Sequence, residues 1–231
     1  MYELSEELTI VIPTKNRPIW LKRIFIYYSK LRFKGVLLVA DSSDQELFNK
    51  IKKIVLDYKD LNIKLSSHPN LNCETAIYAV SKEIKTNYSV FLADDDILLM
   101  DGLVSAVDFL KKNKTVVGAV GNSYMLGTIN NKPFGSINSA LNYNLRSYNN
   151  ISSLERIKEY FSDIKALCFA VVNTEIFKES YKITMNLDEI YQTYILGENL
   201  QAICYLSKGK IIKLDNEYLI RQHHKENNYH K

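Results

Sequence analysis

Residues 91–102 read FLADDDILLMDG, with three consecutive aspartates, Asp94, Asp95 and Asp96, set between apolar runs. A solvated acidic surface is not flanked by core residues on both sides, so these carboxylates stand at the lip of a hydrophobic strand. Two more polar turns follow apolar strands: PTKNRP from Pro13, and ADSSD from Ala40, which carries Asp41. In an open parallel sheet such turns share one rim, the rim at which ligands bind. A rim with this many carboxylates repels a bare anion. It accepts a diphosphate if a divalent cation lies between, because Mn2+ or Mg2+ takes one or two carboxylates together with phosphate oxygens. The structural alternative is that Asp95 or Asp96 caps a helix N-terminus, where negative charge suits the dipole.

The elements that position these turns follow from hydrophobic pattern. LTIVIP (from Leu8), VLLVA (from Val36) and YSVFLA (from Tyr88) are continuous apolar runs typical of strands buried on both faces, and NIKLSSH is a shorter strand. Between them lie helical stripes. Pro18 suits a first helical turn ahead of Trp20, Leu21, Ile24, Phe25, Tyr28 and Leu31, with Trp20 expected in the core. Ser43 and Glu46 form a capping box for the second helix, and Asn72–Lys85 reads as the third. Strands alternating with helices imply βαβ units and a mostly parallel sheet flanked by helices, an α/β Rossmann-like fold. The chain reads as one domain over residues 1–231, with a nucleotide-binding half (1–100) and an acceptor-binding half (101–231).

The second half is less regular. VVGAVGNSY and ALCFAVV are strands, and Ser152 with Glu155 caps the short helix LERIKEYF. Residues 125–151, rich in Asn, Ser and Tyr, read as a long functional loop. LDEIYQTYI is helical in period. Gly197 is expected to break that helix, ENLQAICYLSK to restart it and Gly209 to close it as a left-handed cap. KIIKLDNEYLIRQHH reads as a hairpin-like strand pair.

Bulk composition excludes several classes. Among 231 residues, 46% are apolar, enough for a sizeable core, and the three cysteines form neither a zinc pattern nor a disulfide frame. Lysines are spread without a basic stripe, which argues against nucleic acid. No run approaches a membrane span, and the first residues lack a signal pattern, so a cytoplasmic protein is expected. The net charge of +4 is compatible with an anionic ligand or with peripheral association at the inner face of a membrane. Oligomeric state is not legible.

LTIVIPTKNRPIWLKRIF, VLLVADSSD and VFLADDDILLMDGL resemble, in order and spacing, a GT-A-fold glycosyltransferase of the family 2 type. LDEIYQTYILGENLQAICYLSKGKIIKL, ending in RQHH, is similar to the family's closing pattern. The resemblance implies a metal-dependent, inverting transfer from a UDP-linked sugar to a glycan or other hydroxyl acceptor, in surface polysaccharide or glycoconjugate synthesis. By the same resemblance Pro13, Thr14, Asn16 and Arg17 line the nucleotide pocket, and Asp41 meets the base or ribose. Ser42, Asn72 and Asp94 are counted with this donor-binding set. Asp94, Asp95 and Asp96 are the metal candidates. One alignment pairs Asp94 with Asp96; the other takes Asp95 and puts Ala93 where the family has its first aspartate. His223 or His224 completes the metal or diphosphate site.

The family's Glu-Asp pair is Glu198-Asn199 here, so Glu198 is the candidate base, with Asp188 and Glu189 as fallbacks. The structural alternative for Glu198 is a first-turn helix residue favouring the dipole. The missing second carboxylate motivates another reading, a catalytically degenerate binding or scaffold module. A nucleotidyltransferase is disfavoured because TKNRP lacks the glycines that let backbone approach a triphosphate. Acceptor specificity is expected from residues 125–151 and 165–173.

Overall fold

The computed structural model describes residue 4 and residues 7–130, 132–185 and 194–224. The first half alternates strand and helix: β1 (Leu8–Thr14), α1 (Pro18–Lys30), β2 (Val36–Asp41), α2 (Gln45–Leu56), β3 (Asn62–Ser67), α3 (Cys73–Ser81) and β4 (Tyr88–Phe91). Then come β5 (Ile97–Leu98), α4 (Met100–Lys112), β6 (Val116–Thr128), β7 (Ile137–Asn142) and α5 (Ser153–Ser162). A 3-10 turn (Leu167–Phe169), β8 (Val171–Asn173), α6 (Thr174–Thr184), α7 (Tyr194–Lys208) and β9 (Lys210–His223) complete the order.

All nine strands form one sheet in the order β3-β2-β1-β4-β8-β6-β9-β5, with β7 paired to β6. Strands β3, β2, β1 and β4 are mutually parallel, as their buried apolar runs demand. Beyond β4 the sheet is mixed: β8 runs antiparallel to β4 and β6, while β6 and β9 are parallel. The chain goes outward from β1 to β2 and β3, then returns to β4 on the other side. This reversal opens a crevice beyond the carboxyl ends of β1 and β4, where open α/β sheets bind ligands.

Helix α1 fixes the aspartate loop. It starts with Pro18 at its first turn and buries Trp20, Leu21, Ile24, Phe25 and Tyr28. The Tyr28 hydroxyl donates to the Leu98 carbonyl (3.0 Å), tying α1 to β5 just after the aspartates. Helix α4 begins at Met100 with Leu99 as N-cap and no side-chain cap, so none of Asp94, Asp95 and Asp96 caps it.

Several local expectations change. The N-cap of α2 is Asp44, which accepts from Leu47 N; the Ser43 hydroxyl instead accepts from Asn16 N. Residues 125–151 contain the end of β6 and the exposed strand β7, invisible to periodicity because β7 buries neither face. ALCFAVV divides into the 3-10 turn and the three-residue β8. Helix α7 runs through Gly197 unbroken, and no glycine has positive φ, so Gly209 is not a left-handed cap.

The expected hairpin is one long strand, β9. Its pairing with β6 shifts from Val120↔Lys213 to Asn122↔Glu217, so Leu214, Asp215 and Asn216 bulge opposite Gly121. A Cβ on Gly121 would lie 2.5 Å from the Asn216 carbonyl, and one on Gly102 would lie 2.4 Å from the Glu217 carbonyl. Two bare backbones therefore admit the bulge that turns DNE into a bend rather than a chain reversal.

Candidate active site

A cavity of about 850 Å³ occupies the crevice beyond β1 and β4. Its walls include Pro13, Thr14, Asn16, Arg17, Ser42, Asn72, Asp94, Asp95, Asp96, Glu198 and His223, so the sheet brings most of the sequence candidates to one place. Asp41 and His224 lie outside this lining. Asp188 and Glu189 fall outside the described residues.

The turn after β1 is stapled to the turn after β2. Asn16 adopts a left-handed conformation (φ 59°), which its short amide tolerates. Its backbone N–H donates to Ser43 Oγ (2.7 Å), and its side-chain oxygen accepts from Asp44 N (3.2 Å). Ser42 N donates to the Thr14 carbonyl (2.9 Å). Asp41 is buried at the end of β2. Its Oδ1 accepts from Ser43 N (2.8 Å), while Oδ2 has no hydrogen-bond partner among the described residues. Burial pushes this carboxyl up, with the Ser43 hydrogen bonds opposing. Asn72 caps α3, accepting from Thr75 N (2.9 Å), and presents that helix start to the cavity.

The three aspartates diverge, because residues 94–95 form a turn rather than an extended segment. Asp94 accepts from the Thr14 hydroxyl (2.7 Å) and from Arg17 Nη1 (2.6 Å). Asp95 Oδ2 meets both Arg17 nitrogens (3.2 Å) and His224 Nε2 (2.9 Å). Asp96 turns to β9, accepting from Gln222 N (2.9 Å) beside Arg221 Nε (3.5 Å). Burial pushes Asp94 and Asp96 up to about 7, against the pull of Arg17 on Asp94 and of Arg221 on Asp96. Burial acts on Asp95 in the same sense, yet the His224 hydrogen bond and the Arg17 charge win and hold it low. Asp95 is thus the one of the three whose carboxyl is held low.

Trp20 is buried as expected, but it also forms the floor of this cluster. The His224 ring stacks on it (centroids 4.4 Å, planes 28° apart), and the guanidinium carbons of Arg17 and Arg23 lie 4.9 and 5.0 Å from its centroid. Arg23 Nη2 donates to the Asp95 carbonyl (2.6 Å), while Nη1 donates to Gln222 and to the Pro133 carbonyl beyond β6. Arg221 lies between Tyr143 and Phe169, 5.1 and 5.0 Å from the ring centroids. Pattern reading missed Arg23, Arg221 and the second role of Trp20. A usable signal was present: Arg17, Trp20 and Arg23 recur every third residue, which places them along one side of the α1 start. These guanidinium groups also make the rim less anionic than its string of aspartates implies.

Among the described residues no group of three or more His, Cys, Asp or Glu side chains is close enough to hold a metal ion. Asp95 and His224 do converge; the carboxylate suits Mn2+ or Mg2+, the imidazole favours Mn2+ over the hard Mg2+, and diphosphate oxygens and water would have to supply the remaining ligands. The donor set therefore fits a cation that arrives with its substrate.

Glu198 stands on α7 and lines the cavity. Burial pushes its carboxyl up; Arg221 opposes and Glu74 reinforces the rise. Asn199 is engaged elsewhere, its Oδ1 accepting from the Tyr160 hydroxyl (2.7 Å) of α5. Met125 and Phe169, from the two segments expected to select the acceptor, also line the cavity.

A central sheet with helices on its faces and a crevice at this reversal of strand order define the GT-A glycosyltransferase fold, and the chain has that fold. Solved structures with the same fold include S. aureus TarS. Residues 1–349 of TarS in complex with UDP-GlcNAc match at a TM-score of 0.61 and 14% identity, over 95% of this chain and 59% of that one. The complex of the same segment with UDP matches at 0.59 and 14%, over 94% and 60%. A longer TarS chain matches at 0.61 and 16%, over 94% of this chain but 37% of its own length. This chain thus spans well under two thirds of the TarS chains it matches. No protein-family model matches the sequence, and no curated protein matches it. No described helix is long and apolar enough to cross a membrane.

Proposed function

We propose that the protein is a glycosyltransferase of the family 2 type that transfers a sugar, with inversion, from a UDP-linked donor to a hydroxyl of a glycan or glycoconjugate. The observation that carries this reading is that one cavity is lined both by Asp95 and Arg17, which His224 backs from behind the wall, and by Glu198. Binding of UDP and UDP-GlcNAc by TarS, on the same fold, supports the choice of donor.

The turns after β1 and β2 cradle the nucleoside through Thr14, Asn16, Arg17 and Ser42, while Asp41 lies buried behind them, its Oδ2 without a partner among the described residues. Asp95 and His224 would hold the divalent cation, which would supply positive charge for the diphosphate leaving group. Arg17 reinforces that charge balance from the same face. Glu198 takes the proton of the acceptor hydroxyl; the freed oxygen forms a bond to the anomeric carbon while the bond to the diphosphate breaks, and the nucleoside diphosphate departs with the electron pair. Its upward shift makes Glu198 a stronger base than a solvated glutamate. A soluble or membrane-surface acceptor in the cytoplasm fits such a donor.

The test is calorimetric titration with UDP and other nucleoside diphosphates, with and without Mn2+. A preference for UDP that disappears in EDTA is expected; no binding of any nucleotide with metal present sinks the proposal. The second reading, a degenerate binding module, draws on Asn199 and Ala93. It requires UDP binding without transfer or hydrolysis.

A further inference from the structure

Glu198 has a carboxylate neighbour that the proposed chemistry does not use. In α7 it follows Gly197, and a Cβ at Gly197 would lie 2.9 Å from Glu74 Oε1 and 3.5 Å from Glu74 Cγ and Cδ. The Glu74 side chain, from the first turn of α3, therefore rests on bare α7 backbone one residue before the carboxylate of the cavity wall. Glycine is among the poorest residues for a helix interior, and here its missing side chain is the space Glu74 occupies. Both carboxylates are partly buried.

Resting on the reading of Glu198 as the base, we propose that Glu74 is a positioning residue, seated in the gap at Gly197, which sets the charge environment of Glu198. Like charges in a partly desolvated site oppose ionisation of one another, and a base tuned toward the working pH accepts a proton more effectively. Burial and the charge of Glu74 both act upward on Glu198, and Arg221 of β9 acts downward. The other titratable groups within reach of its charge are Cys73 at the start of α3, Cys168 of the 3-10 turn and Tyr160 of α5. Burial pushes all three up, so they stay neutral and leave Glu74 as the acidic partner.

The pairing is read directly by 13C NMR of protein labelled at glutamate, titrated from about pH 4 to pH 9, with the Glu198 Cδ signal assigned by its loss in Glu198→Gln. The Glu198 midpoint is expected to fall in Glu74→Gln. It is also expected to fall in Gly197→Ala, whose new methyl displaces the end of the Glu74 side chain. Alanine also favours the helix, so a Gly197→Ala protein with an unchanged or raised melting temperature and a lowered midpoint rules out damage to the fold. The double variant titrates no lower than Glu74→Gln alone. In turnover of UDP-GlcNAc, the acid limb of kcat/KM moves with the NMR midpoint. A Glu198 midpoint unmoved by both single variants overturns the inference. Full turnover by Glu198→Gln instead overturns the assignment of the base, whatever the titration shows.

Discussion

Trp20 and His224 stack face to face at 4.4 Å, and this contact aims Nε2 of the histidine at Asp95, 2.9 Å away. One side chain comes from the first helix and the other from the residue just after the last strand, so the indole packs against a ring delivered from the far end of the chain. Trp20→Leu keeps an apolar core residue but removes the stack, worth about 0.5–1.5 kcal/mol for an aromatic pair. UDP affinity in Mn2+ is expected to drop by about 3- to 10-fold by calorimetry, with affinity in EDTA unchanged.

Asp95 and Asp96 are adjacent but separable. Asp95→Asn is expected to abolish the Mn2+-dependent part of UDP binding, and to lose the stability that the carboxylate gains from Arg17 and His224. Asp96→Ala leaves the buried Gln222 N–H without its acceptor, at a cost of about 1–3 kcal/mol in denaturant unfolding. Equal effects of the two substitutions on metal-dependent binding would contradict the division of labour described above.

Folding itself should depend on pH. Asp94 and Asp96 are raised from 3.8 to about 7 by burial, so between these values the folded chain holds protons that the unfolded chain has released. Their contribution is therefore complete below 3.8 and declines as pH rises through about 7. Asp95 is shifted the other way and loses its contribution in acid, which puts the optimum on the mildly acidic side of neutrality. Melting temperatures of the metal-free protein across this range should fall toward neutral pH, and Asp94→Asn with Asp96→Asn should flatten the decline.

Removing the proposed base separates chemistry from binding. Glu198→Gln preserves shape and is expected to lower kcat by about 10²- to 10⁴-fold while UDP affinity holds. Asn199→Asp, which places a second carboxylate beside Glu198, should yield no gain in kcat, because that side chain meets Tyr160 of α5.

The bulge in β9 makes a stability prediction. Gly121→Ala pushes a methyl against the Asn216 carbonyl, which is backbone and cannot swing aside. A loss of about 1–3 kcal/mol in denaturant unfolding is expected, typical of an overpacked interior position.

The parallel half of the sheet was legible because LTIVIP and VLLVA are buried on both faces, and such strands leave unbroken apolar runs. The rim turns followed from the sheet. The second half was not legible for physical reasons: β8 has three residues, β7 buries none of its own, and the bend in β9 depends on Gly121 and Gly102, far from it in sequence. Trp20 looked like core and is core; its second face toward His224 exists only once β9 is in place. Asp94-Asp95-Asp96 announced a polar site, but which oxygen meets which element depends on a turn and on arginines from two segments, the start of α1 and the end of β9.

Arg17 and His224 touch across 207 positions of chain. Closing so long a loop carries an entropic cost that no neighbouring contact repays early, and distant pairings of this kind slow folding. Strands β1 to β4 can assemble beforehand, but the pocket acquires its imidazole only when β9 docks beside β6. A chain cut before Arg221 would then keep the stapled turns after β1 and β2 and lack the imidazole that meets Asp95.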